Sequence, residues 1–147
     1  MSPERAAQSL PTISQKLEKM RINIGFVTCL AVLDDGRLAS GSLHAMIQIW
    51  DLAMGACVAT LEGHEHSVES LAVLEDGRLA SGSSDQTINI WDLGTDEWVA
   101  TLEGHDDPTN PRGTVWSLAV LESGRLASGS TNGTIAIWDS ALSFTLR

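Results

Sequence analysis

GRLASGS at residues 77–83, followed by IWD at 90–92, is the stretch on which the fold turns, because both strings recur at a common step. GRLASGS also fills residues 36–42 and 124–130, and IWD also fills 49–51 and 137–139, so both advance by 41 residues and then by 47. A third string, ATLEGH, stands at 59–64 and again at 100–105. The extra residues of the second step follow His105, in Asp106-Asp107-Pro108-Thr109-Asn110-Pro111-Arg112-Gly113. Self-similarity at such a period marks a chain of stacked units, none of which buries its own apolar faces alone.

Within the second unit, four short runs rich in β-branched and aliphatic residues are separated by turn residues. The runs are Val68 to Leu74, Arg78 to Ser83, Thr87 to Trp91 and Trp98 to Leu102. Glu75-Asp76-Gly77, Ser84-Asp85-Gln86 and Leu93 to Glu97 supply the turns, and Asn132-Gly133 in the third unit is a stronger hairpin signal because both residues tolerate positive φ. Each unit is therefore expected to be a four-stranded antiparallel sheet, and the chain all-β. Side chains alternate across a strand, so Leu79, Ser81 and Ser83 share one face while Ala80 and Gly82 leave the other nearly flat. A flat face admits a neighbouring sheet at close range.

The combination of this period with a GH pair, an ASGS strand and an IWD ending resembles the WD40 repeat, whose units are the blades of a β-propeller. The resemblance covers residues 27–147 and implies blades at 27–67, 68–114 with an insertion at 106–113, and 115–147. Three blades are fewer than the four or so that close a ring. The expected assembly is an open array, completed either by blades of a longer chain or by a second copy that makes a six-bladed ring. The resemblance also implies a hydrogen-bonded network of His, Ser, Asp and Trp inside each blade. The second unit matches with His64, Ser81, Asp85 and Trp91; the third has His105, Ser128 and Trp138 with Asn132 in place of Asp; the first keeps Ser40 and Trp50 but has Asn23 and His44 at the His and Asp positions. The uncharged Asn132 predicts a weaker network in the third unit.

Residues 1–26 lie outside the repeat and read as an arm, a short helix starting near Thr12, or an outer strand at Leu17 to Met20. They carry four Lys or Arg against two acids, whereas residues 27–147 carry five against seventeen, within a net charge of -10. An acidic body disfavours nucleic acid and anionic membranes as partners. No apolar run approaches membrane-spanning length and no apolar leader is present, so the expected location is cytoplasmic. Cys29 and Cys57 fall on the first and fourth strands of one unit, three strand spacings or roughly 14 Å apart, too far for a disulfide.

His64, Ser81 and Asp85 invite comparison with a hydrolase triad, but a nucleophilic serine needs exposure and an oxyanion site. A repeated blade-internal network with a Trp partner explains them better, and the chain is expected not to be an enzyme. His64-Glu65-His66 lacks a third ligand, so no metal is expected, and the glycines precede no helix that would hold a nucleotide cofactor. Asn132-Gly133-Thr134 spells a glycosylation acceptor but reads more simply as a turn. The expected role is a scaffold that binds protein through rim loops, the alternatives being a truncated or self-assembling propeller fragment without independent binding function and a propeller-based enzyme. The scaffold's candidate contacts are Asp106, Asp107 and Arg112 in the insertion, together with Glu65, His66 and His44. Trp116, at the position of Thr28 and Glu69, either anchors a partner or fills a gap between blades.

Overall fold

The computed structural model describes residues 26–105, 109 and 113–139. Strands β1 (Val27–Val32), β2 (Leu38–Ser42), β3 (Met46–Asp51) and β4 (Ala56–Glu62) pair in chain order as one antiparallel sheet. Strands β5 (Val68–Val73), β6 (Leu79–Ser83), β7 (Thr87–Asp92) and β8 (Glu97–Glu103) repeat that sheet. In the third sheet β9 (Val115–Val120), β10 (Arg125–Ser130) and β11 (Ile135–Asp139) pair in the same way. The expected fourth strand of that sheet, the readings of residues 1–25 and the insertion residues Asp106, Asp107 and Arg112 lie outside the described residues.

Turn chemistry sets the strand ends. After β1 and β5 the chain reverses through Gly36 and Gly77, both at φ +88, a conformation that costs glycine nothing. Asp35 and Asp76 fix these turns, each accepting the backbone N–H of the following Arg37 or Arg78 at 3.0 and 3.1 Å and pairing with its guanidinium at 2.7 Å. In the third unit Ser123 stands where those aspartates stand, and the turn becomes a 3-10 turn with Ser123 itself at φ 64. The second hairpins place Ala45 and Gln86 at φ 65 and 75, and the equivalent residue of the third is Gly133 at φ 90.

Strand alternation gives each sheet two apolar faces, and neighbouring sheets share them in sequence order. Ala39, Ile47, Ile49 and Leu61 on the back of the first sheet pack with Val68, Leu79 and Trp91 on the front of the second. Ala80, Ile88, Ile90 and Leu102 on the back of the second pack with Val115 and Leu126 on the front of the third. Polar contacts follow the same line: the Thr28 hydroxyl donates to the Val68 carbonyl, and the Leu118 N–H donates to the Ser70 hydroxyl at 3.1 Å. Within this array Cys29 and Cys57 are free thiols on β1 and β4. Burial raises the pKa of the Cys29 thiol, which sits among these packed residues as a small apolar group.

Candidate functional site

The most densely bonded polar cluster lies inside the second sheet. Trp91 on β7 donates its indole N–H to Ser81 Oγ on β6 at 2.8 Å. Ser81 Oγ also lies 2.6 Å from His64 Nε2, and His64 Nδ1 lies 2.8 Å from Asp85 Oδ2. Every partner is satisfied when the serine gives its proton to Nε2 and the Nδ1 proton faces the carboxylate. Asp85 is held in turn by the backbone N–H of Thr87 at 2.9 Å, its hydroxyl at 2.6 Å and the Glu65 N–H at 3.1 Å. The distances are those of a Ser-His-Asp triad, but the setting is not. Ser81 is fully buried, and its oxygen is already engaged as the acceptor of the Trp91 N–H.

The third unit solves the same problem differently. His105 Nε2 lies 2.6 Å from Ser128 Oγ, which accepts the Trp138 N–H at 2.8 Å. The His105 Nδ1 partner, however, is Thr134 Oγ1 at 2.6 Å, and Asn132 acts one step away, bonding the Thr134 hydroxyl at 2.6 Å and the His105 carbonyl at 2.6 Å. Asn132 therefore does not contact the ring as the sequence reading expected. Its amide lies beside the backbone and leaves the ring nitrogen to the threonine hydroxyl. The signal was available, since Thr134 falls in register with Thr87. In the first unit Trp50 donates to Ser40 Oγ at 2.9 Å, while Asn23 lies outside the described residues.

These environments set a pH dependence. Burial raises the Asp85 pKa, but the hydrogen bonds from His64 and Thr87 outweigh it and hold the carboxyl well below 3.8. Burial pushes His105 below 6.5. Both groups bind protons less readily in the folded than in the unfolded chain, so stability falls with pH: His105 contributes the loss below about pH 6.5, and Asp85 adds to it below about pH 4. Melting temperatures across this range are expected to decline in two stages, with the first flattened in His105→Gln. A profile for His105→Gln parallel to the parent's would remove His105 as the cause.

The surface candidates fall mainly on one rim. Glu65 and His66, exposed in the β4–β5 connection, and His44, exposed in the β2–β3 turn, occupy the sheet end from which the insertion also departs. The backbone N–H of His44 donates to Ser42 Oγ at 3.3 Å. Trp116 does not fill a gap between the described sheets: it is 61% exposed, because the bulge at the start of β9 turns it towards the open back of the third sheet. Glu65 and Asp85 share a crevice of about 260 Å³ with Glu103 and Trp98. Trp98 and Glu103 were missed in the sequence, although Trp98 takes the register position of the small Cys57 on an outer strand, an unusual place for a large aromatic. Trp98 is 51% exposed and donates to the Ala100 carbonyl at 3.0 Å and Thr101 Oγ1 at 2.9 Å, leaving its ring as a wall. Among the described residues no group of three His, Cys, Asp or Glu is placed to hold a metal.

Comparison with known proteins gives a consistent result. The family model for the WD domain, G-beta repeat, matches residues 20–51, 55–92 and 96–139. The second and third matched segments each begin with the outer strand of one sheet, β4 or β8, and end with the third strand of the next. The guanine nucleotide-binding protein subunit beta of Schizosaccharomyces pombe is 37% identical over 46 residues, which is 31% of this chain and 15% of that protein. The solved WD40 beta propeller domain of Doa1 matches with a TM-score of 0.66 and 28% identity, over 75% of this chain and 35% of that one. The chain thus spans a minor part of both.

Proposed function

This chain belongs to the WD40 family of G-beta repeats, and from that premise we propose that it is a non-catalytic scaffold that holds a protein partner on its rim. The observation that carries this reading is the division of polar groups. His64 with Ser81, and His105 with Ser128, are buried within the sheets as hydrogen-bonded supports, whereas the exposed surface presents Trp98 beside Glu65 and Glu103. An aromatic wall flanked by carboxylates suits a Lys or Arg side chain of a partner, through cation–π and charge contacts. The net charge of -10 supports steering towards basic proteins and away from nucleic acid. Blade units at 27–67, 68–114 and 115–147 and a cytoplasmic location complete the reading; among the described residues no helix is long and apolar enough to cross a membrane. Asp106, Asp107 and Arg112, which follow His105 in the sequence, are proposed as further contacts for the partner.

Capture experiments on the whole chain test it. Trp98→Ala and the pair Glu65→Lys with Glu103→Lys are each expected to lower retention of the captured partner by about tenfold, with removal of 106–113 giving a partial loss. Identical capture by the parent and all three variants would place binding elsewhere. A second reading rests on the uncovered faces of the first and third sheets: the array is one part of a larger ring, completed by further blades or by another copy.

A further inference from the structure

Resting on the reading of the array as part of a larger ring, we propose that the open back of the third sheet is covered by the open front of the first sheet in a second copy of this chain, closing two copies into a six-sheet ring. The argument comes from the two junctions the chain already contains. At the first, Val68 of β5 seats against Gly41, where an added Cβ would lie 2.8 Å from Val68 Cγ1. At the second, Val115 of β9 seats against Gly82, with the corresponding approach 2.7 Å. The third glycine of the series, Gly129, has nothing within 4 Å of its Cβ position. The first valine of the series, Val27, is 46% exposed, whereas Val68 and Val115 are fully buried.

The same contrast extends across both faces. Ile47, Ile49, Ile88 and Ile90 are fully buried at the internal junctions, but their counterparts Ile135 and Ile137 are 80% and 54% exposed. Leu71 and Leu118 pack into the two cores, and their counterpart Leu30 is 60% exposed. One end of the array thus presents a seat without its valine, and the other a valine without its seat. They are the two halves of a junction that the chain makes twice. Because front meets back, the contact is head to tail, and such contacts close only at a suitable number of units. Two copies give six sheets, within the range of about four to eight that closed propellers use, whereas three give nine.

The mass of the intact 147-residue chain in solution tests this. Light scattering at micromolar concentration is expected to give twice 15.7 kDa. Gly129→Leu is expected to weaken pairing by about 100-fold or more, since a packed seat at each of two junctions is filled. Strand content by circular dichroism should be unchanged, because the single chain has open space at that position. Should Gly129→Leu disturb the fold, Val27→Asp tests the opposite half of the junction with the same expectation. A stable monomer, with these faces covered from within or left bare, overturns the proposal. So does a species larger than two copies, or a dimer that survives both substitutions. Rim capture through Trp98 is read separately and does not depend on the mass, so either reading can fail alone.

Discussion

Trp91→Ala is expected to lower the unfolding free energy by about 3 to 5 kcal/mol, the cost of deleting a buried aromatic whose site cannot collapse. Trp91 is 1% exposed and lies at the junction of the first and second sheets. Its ring closes against Gly63, where even a Cβ would meet the indole at 2.9 Å; it lies edge-on to His64 and tilted against Trp98, at centroid distances of 6.3 and 6.4 Å. The substitution also removes the N–H that Ser81 Oγ accepts, loosening the donor chain through His64 to Asp85. Trp138→Ala should cost less, because Trp138 is only partly buried. Urea melts followed by circular dichroism measure both, and a loss under about 1 kcal/mol for Trp91→Ala would contradict the packing described.

The second large effect concerns the seats between sheets. Gly82→Leu should destabilise the chain by about 1 to 3 kcal/mol or more, because Val115 Cγ1 lies 2.7 Å and the Val115 carbonyl oxygen 3.1 Å from the added Cβ. Backbone cannot swing aside as a flexible side chain would, so the third sheet must move or detach. Gly129→Leu, the same change at the third position of the series, should leave the melting unaltered at concentrations too low for two copies to pair. Equal urea midpoints for Gly82→Leu and the parent would mean that the second and third sheets do not stack through this contact.

The fold was legible because three strings repeat at one step, and the residues that set strand ends, Gly36, Gly77 and the IWD endings, are the same residues that repeat. Alternation around Ala80 and Gly82 also announced the flat face that receives Val115. Where the repeat broke, legibility failed. Asn132 stands in the column of Asp85, and reading down that column concealed the contact made by Thr134, because one hydrogen bond had passed to a neighbouring residue two positions on. Trp98 and Glu103 escaped notice for a different reason: their crevice assembles from the β4–β5 connection, a hairpin turn and an outer strand, which no single unit displays. Trp116 remained ambiguous because the identity of a residue does not say whether another sheet lies beyond it.

The offset between repeat and sheet has a practical outcome for anyone dissecting the chain. A boundary drawn between residues 92 and 96, where one matched segment ends and the next begins, would strip β8 from the second sheet and bare the hydrogen-bonding edge of β7. Raw edges of that kind recruit foreign strands and drive aggregation. A cut after Glu103 leaves every edge strand with the sheet it completes, so the piece that can be transplanted whole is framed differently from the text that repeats.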